Sequence, residues 1–100
     1  MESFSFKTPA KKTVIQRAHV GVVGSGDLEI LLEPGTSGLT IFNVRTASEG
    51  FQETWKSVFE RFTALEDIDA EISINDFGAT PGVVGLRLAQ ALEVANQTKH

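Results

Sequence analysis

The sequence predicts an α/β fold of the α+β type, a two-layer sandwich in which two helices cover one face of a mostly antiparallel or mixed sheet. Three observations support this class. Apolar and polar residues alternate through most of the first half and again near residue 70, as in half-buried strands. Two apolar stripes with helical spacing occupy the rest. One hundred residues suit a single domain, residues 1–100, with one core.

The first half of the chain consists of strand candidates. Residues 10–13 are polar and predict a loop, and residues 34–38 form a turn by composition. The second candidate is clearest from Ala18 onward, and a very short connection leads to the third. In chain order the candidates are Ser3–Lys7, Val14–Val23, Leu28–Glu33 and Leu39–Arg45. The predicted element order is therefore β-β-β-α-β-α, with Ser3–Lys7 as an extra strand at the start.

The pattern then changes to a helix from about residue 48 to residue 65. Thr46 with Glu49 forms a candidate capping box, and Ser48 is a competing cap. Large apolar residues fall on one stripe, which indicates a face packed into the core rather than a cofactor site. They are Phe51, Trp55, Val58, Phe59, Phe62 and Leu65.

The last strand and the last helix follow. Residues 69–77 return to a period of two and predict a strand. Thr80 is a good N-cap, and Pro81 suits the first helical position. Residues 96–100 are expected to fray. The apolar stripe of this helix comprises Val84, Leu88, Ala91, Leu92 and Ala95.

Composition excludes several classes of function. There is no cysteine, hence no disulfide and no cysteine nucleophile, and the two histidines argue against a zinc site. A net charge of −4 with scattered basic residues disfavours nucleic-acid binding. No apolar run approaches the roughly 18 residues of a membrane span, and the first residues lack a signal-peptide pattern. We expect a cytoplasmic protein that binds neither nucleic acid nor membrane.

Ser25 lies between Gly24 and Gly26 at the turn of a predicted hairpin. The glycines do not form a phosphate-binding P-loop, because the required lysine is missing, and Asp27 begins a strand rather than the helix of a dinucleotide site. A serine hydrolase is disfavoured because the nucleophile-elbow spacing is absent and His19 would be near only by tertiary accident. A plain turn is the simplest interpretation.

Two further patterns are weaker. Residues 76–78 match a kinase tripeptide, but the chain is too short for a kinase, so they predict the end of a strand and a turn. Glu29 and Glu33 share a strand face, which is typical of a solvated surface rather than acid–base chemistry. Acidic residues near Ser25 are candidates for contacts with basic patches on partners.

Two long motifs nevertheless resemble the acyl carrier (delta) subunit of biotin-independent malonate decarboxylase. The resemblance extends over nearly the whole chain, including Trp55, Phe59, Glu60 and Arg61 in the first helix, and is weak only in the first twelve residues and the tail. The motifs are VGVVGSGDLEILLEP, residues 20–34, and INDFGATPGVVGLRL, residues 74–88.

The resemblance implies a non-catalytic carrier with a covalent 2'-(5''-phosphoribosyl)-3'-dephospho-CoA prosthetic group on Ser25, flanked by Gly24, Gly26 and Asp27 as the recognition turn. The group would supply the thiol that a chain without cysteine lacks. Implied partners are the transferase (alpha) and decarboxylase (beta and gamma) subunits, a prosthetic-group transferase and a malonyl transferase. The alternative from a different class is a small binding or assembly module with an unmodified Gly-Ser-Gly hairpin.

Overall fold

A computed structural model describes residues 2–21, 26–47 and 49–97. The elements follow in chain order. They are β1 (Glu2–Pro9), β2 (Lys12–Thr13), β3 (Ala18–Gly21), β4 (Leu28–Pro34), β5 (Leu39–Thr46), α1 (Gln52–Leu65), β6 (Ile68–Asp76) and α2 (Pro81–Ala95). The predicted α+β class and element order are confirmed, with β2 as an addition.

Across the described residues the sheet has six strands and is mixed. Its main path runs β1-β5-β6-β4-β3, and the two-residue β2 pairs separately with β6. β5 and β6 are parallel because α1 crosses between them, whereas the other pairings along the main path are antiparallel. Asp76 is opposite both Thr46 and Leu28, so the ends of β5 and β6 and the start of β4 meet at one end of the sheet.

The core lies between the helices and one face of the sheet. Alternate residues of the strands point inward, as the period of two predicts, and the helices contribute Phe59 and Leu88, both fully buried. Phe42 of β5 and Phe59 of α1 stack with ring centroids 4.0 Å apart and an interplanar angle of 11°. The fully or nearly fully buried strand residues include Leu28, Ile30, Leu32, Phe42, Val44, Ala70, Ile72 and Ile74.

The prediction for the start of α1 was wrong. The helix begins at Gln52 with Phe51 in the N-cap position and no side-chain cap. Thr46 instead ends β5, and its hydroxyl donates to the buried Asp76 carboxylate. Ser48, the competing cap, lies outside the described residues. The start of α2 is as predicted, because the Thr80 hydroxyl accepts a hydrogen bond from the amide of Val83 and Pro81 is the first helical residue.

Both ends of the α1 stripe were also placed wrongly in the core. Phe51 precedes the helix and is 53% exposed, and Leu65 is its last residue and is 80% exposed. The strand predicted from Val14 begins only at Ala18. The amides of Ile15 and Gln16 both donate to the Ala95 carbonyl, so this segment contacts the end of α2 rather than a neighbouring strand.

The face of the sheet away from the helices carries polar side chains. Ser5 donates to Asn43, whose amide donates in turn to Glu71. Within the described part of the chain, no helix is long and apolar enough to cross a membrane. The same residues contain no group of three or more histidine or acidic side chains arranged to hold a metal ion.

Candidate functional site

The predicted recognition turn lies at the end of the sheet where β4 begins. Gly24 and Ser25 fall outside the described residues, so the structure describes only Gly26 and Asp27 of the four. Gly26 is exposed and has a φ of +78°, a left-handed conformation that favours glycine. Nothing lies within 4 Å of a Cβ built on it, so the space beside this backbone is open.

Phe77 ties this turn to the end of β6. The amide of Gly26 donates to the Phe77 carbonyl at 2.9 Å, and the amide of Phe77 donates to the Asp27 carbonyl at 2.9 Å. Gly26 and Asp27 thus both face the single residue Phe77, next to the Leu28–Asp76 pair, as in a β-bulge whose first residue is a glycine in the left-handed region. The backbone immediately after Ser25 is therefore fixed to the central strand.

Arg87 of α2 fixes the side chain of Asp27. Its Nε donates to Asp27 Oδ1 at 3.2 Å and its Nη2 to Oδ2 at 2.8 Å, a bidentate arrangement. Gln90 supports the guanidinium by accepting from Nη1 at 3.0 Å. The Arg87 hydrogen bonds, followed by that from the amide of Leu28, lower the pKa of Asp27 below its usual value. Asp27 is therefore ionised at neutral pH.

Asp76 shapes the adjoining turn. Its Oδ1 accepts from the amides of Gly78 and Ala79, at 3.2 and 2.9 Å, and its Oδ2 accepts from the Thr46 hydroxyl at 2.7 Å. The carboxylate is buried, with its residue only 3% exposed. It joins the end of β5 to the β6–α2 turn, confirming the interpretation of residues 76–78 as a strand end and turn.

Gly21 is the last residue of β3, the first strand of the hairpin. It has a φ of +83°, and a Cβ built on it would overlap the backbone carbonyl oxygen of Leu28. Only glycine permits this close approach between the end of β3 and the start of β4. Gly21 and Gly26, the described residues on either side of residues 22–25, thus both have a left-handed backbone conformation.

The other candidate residues that the structure describes, His19, Glu29 and Glu33, make pairs within the chain. His19 Nε2 lies 2.8 Å from Glu29 Oε2, and Asn75 donates to Glu29 Oε1 at 3.1 Å. Hydrogen bonding to His19 and then to Asn75 lowers the pKa of Glu29. Glu33 takes no part in this His19–Glu29–Asn75 group. Its Oε2 lies 3.8 Å from Nε of Arg17, in an exposed ion pair. The acidic residues considered as partner contacts, Asp27 and Glu29, are thus already paired within the chain.

Sequence reasoning missed two functional contributors. Arg87 lies in the second long motif, but nothing in the sequence pairs it with Asp27, 60 positions away. That Asp27 and Arg87 fall in the two long motifs, residues 20–34 and 74–88, is compatible with their pairing but does not predict it. The role of Gly21 depends on backbone conformation and had no signal beyond the glycine itself.

Comparison with known proteins identifies the family. The family model for the malonate decarboxylase delta subunit, an acyl carrier protein, matches residues 15–95. The chain belongs to the malonate decarboxylase delta subunit family. The matched span includes both arms of the hairpin, the Phe77 turn and Arg87.

Relatives within the delta subunit family match nearly the full length. Malonate decarboxylase acyl carrier protein from Azotobacter vinelandii is 54% identical over 94 residues, covering 93% of this chain and 95% of the relative. The protein of the same name from Pseudomonas fluorescens strain SBW25 is 51% identical with the same coverage. A chain in a crystal structure of a Pseudomonas malonate decarboxylase hetero-tetramer in complex with malonate superposes with a TM-score of 0.89 at 49% identity, covering 95% of this chain and 99% of that one.

Proposed function

We propose that this chain is the acyl carrier subunit of a malonate decarboxylase and carries its acyl group on a 2'-(5''-phosphoribosyl)-3'-dephospho-CoA group attached to Ser25. The observation that carries the proposal is the double anchoring of the two residues after Ser25. Phe77 fixes the backbone of Gly26 and Asp27, and Arg87 fixes the Asp27 side chain. We expect this anchoring to restrict how the neighbouring attachment point is presented to each partner.

The surroundings of the turn fit a bulky phosphodiester-linked group. The space beside Gly26 is open, which leaves room for a modifying enzyme next to the residue that follows Ser25. When bound, the group supplies the terminal thiol that holds acetyl and malonyl as thioesters, and the chain itself contains no cysteine to do so. The names of the relatives, which are acyl carrier proteins of malonate decarboxylase, support this role.

Ser25 itself would perform the attachment step. Its hydroxyl oxygen bonds to the phosphorus of an activated donor on the prosthetic-group transferase, its proton passes to that enzyme, and the leaving group of the donor departs. Thereafter the chain acts without bond chemistry of its own. It holds the tethered acyl group at high local concentration near the active sites of other subunits.

Those partners would be the alpha transferase subunit, the beta and gamma decarboxylase subunits and a malonyl transferase, in the cytoplasm. The structural relative within a malonate decarboxylase hetero-tetramer supports assembly with other subunits. Decarboxylation of malonate to acetate and carbon dioxide then belongs to the complex, and the present chain is its non-catalytic carrier.

Intact-mass measurement tests the proposal. We expect the full chain, co-expressed with the enzymes that make and attach the prosthetic group, to gain the mass of one phosphoribosyl-dephospho-CoA unit. Ser25→Ala should gain none. Ser37→Ala is the matched control, because Ser37 is exposed in another glycine-containing turn, and it should be modified normally.

Modification of Ser25→Ala would contradict the site. An unmodified wild-type chain with a tight non-covalent ligand or partner would favour the binding-module alternative. Covalent labelling of the unmodified protein at Ser25 by a fluorophosphonate would favour a hydrolase.

A further inference from the structure

A cavity of about 370 Å³ lies between the start of α1 and the β6–α2 turn. Its walls include Phe51 and Trp55 of the α1 segment, Pro81 and Val84 of α2, and Asp76 and Gly78 of the turn. Cavities of a few hundred Å³ are the size that small organic ligands occupy. The hydrogen bonds of Phe77 and Arg87 that anchor the recognition turn involve none of these lining residues.

The cavity lies beside the residue that follows the proposed attachment point. A Cβ built on Gly78, which lines the cavity, would lie 3.7 Å from the amide nitrogen of Gly26, the residue after Ser25. The backbone next to the proposed attachment point is therefore close to the cavity. Phe51 is 53% exposed and lines the cavity, so an aromatic ring is accessible there.

The lining selects against anions. It is mostly apolar, and its ionisable member is Asp76, a buried carboxylate that accepts three hydrogen bonds within the chain. A phosphate or a carboxylate placed here would be desolvated beside the Asp76 carboxylate, and the described lining residues include no cationic side chain. The diphosphate of the prosthetic group and a malonyl carboxylate are therefore poor occupants, and a neutral group is favoured.

We propose that this cavity binds the adenine base of the prosthetic group and leaves the pantetheine chain free to move. The inference rests on the proposed function. Adenine is the flat aromatic part of that group; Phe51 offers it an exposed ring, and Trp55, although only 6% exposed, forms part of the cavity wall. The base is also covalently nearer to Ser25 than the thiol is. Base binding would fix the first part of the arm, so that only the thiol-bearing part moves between partners.

Tryptophan fluorescence tests the proposal directly, because Trp55 is the only tryptophan in the chain and lines the cavity. We expect its fluorescence, excited where adenine does not absorb, to be lower in the modified protein than in the unmodified one. Adenosine added to the unmodified full chain should quench Trp55 saturably at millimolar concentration, and pantetheine should not. Intact mass records modification separately.

These readouts separate the two proposals. A protein that is modified by mass but shows unchanged Trp55 fluorescence and unchanged amide NMR shifts for Ala79 and Val84 would overturn the adenine site and leave the carrier function standing. A protein that is never modified would contradict the carrier function, and the adenosine titration would still decide the cavity. Quenching by pantetheine instead of adenosine would overturn the choice of base.

Three variants sharpen the result. Phe51→Ala removes an exposed ring and should weaken adenosine binding roughly two- to tenfold, the loss of one aromatic contact. Ala79→Leu narrows the cavity and should abolish the quenching. Leu86→Ala is the matched control, since Leu86 is 56% exposed on α2 and outside the lining, and should bind as wild type. Wild-type quenching in Ala79→Leu would overturn the site.

Discussion

Arg87 and Asp27, 60 positions apart, form a bidentate pair with N···O distances of 3.2 and 2.8 Å. The pair joins α2 to the residue that directly precedes β4. The pair is partly sheltered, with the two side chains 28% and 18% exposed. Asp27 follows the proposed attachment site by two residues. A helix that also packs on the core thus fixes the side chain of the residue two positions after Ser25.

The first prediction concerns Arg87→Lys. A lysine keeps the positive charge but cannot make the two parallel hydrogen bonds, so the turn should lose its fixed geometry. We expect slower modification of Ser25 by the prosthetic-group transferase, measured by time-resolved intact mass. Arg17→Lys is the control, because Arg17 makes only an exposed, 3.8 Å pair with Glu33 and should be modified at the wild-type rate. Equal rates for both variants would contradict a positioning role for Arg87.

The second prediction is a pH dependence. Because folding lowers the pKa of Asp27, its contribution to stability is present above the ordinary aspartate pKa of about 3.9 and is lost as pH falls through the lower folded pKa. In Arg87→Gln the Asp27 pKa should rise, and the acid unfolding transition should move to higher pH. Carboxyl NMR titration measures the first effect and circular dichroism the second.

The pKa of Glu29 provides the internal control for that titration. It is lowered by His19 and Asn75, not by Arg87, so Arg87→Gln should leave it unchanged. A shift of both carboxyl groups in the variant would mean that the substitution perturbs the sheet as a whole rather than one ion pair.

The fold was largely predictable because strand and helix periods are local properties of the sequence. Leu28, Ile30 and Leu32 alternate along β4, and all three are fully buried. The strand order could not be predicted, because several of these strands share the same alternation and nothing local selects β6 as the neighbour of both β5 and β4. The predicted cap of α1 was wrong for a similar reason. The Thr46 hydroxyl donates to Asp76 of another strand, and this long-range contact cannot be read from the local sequence.

The candidate site was predictable only as a motif. The glycine-flanked Ser25 and the following Asp27 are visible in the sequence, but their anchors are not. The Phe77 hydrogen bonds use backbone atoms, which every residue type has, and Arg87 could pair with any carboxylate. Such contacts are specified by the packing of α2 against β4, a long-range property.

The third prediction compares two glycines of the same loop. Gly21→Ala places a Cβ against the Leu28 carbonyl oxygen at a φ of +83° and should cost about 3 kcal/mol or more of unfolding free energy. Gly26→Ala meets only the conformational strain at a φ of +78°, because its surroundings are open, and should cost about 1 kcal/mol. Urea unfolding measures both. Equal costs would contradict the close approach at Gly21.

The fourth prediction concerns the aromatic stack in the core. Phe59→Ala removes a fully buried ring stacked 4.0 Å from Phe42 and should lower the unfolding free energy by about 3–5 kcal/mol. Leu65→Ala, at the 80% exposed end of the same helix, should change it by no more than about 0.5 kcal/mol. A large cost for Leu65→Ala would show that the end of α1 is covered in solution, contrary to the structure.

The fifth prediction tests the Asp76 turn. Asp76→Ala removes the acceptor of the Gly78 and Ala79 amides and one hydrogen bond of the Thr46 hydroxyl, and should cost about 3 kcal/mol of unfolding free energy. Asp76→Asn keeps one side-chain oxygen for the two amides, and the Thr46 hydroxyl can rotate to accept from the new amide, so its cost should be nearer 1 kcal/mol. Thermal and urea unfolding of the two variants give the comparison. If Asp76→Asn were as costly as Asp76→Ala, the negative charge, and not the position of its acceptors, would be what holds the ends of β5 and β6 together.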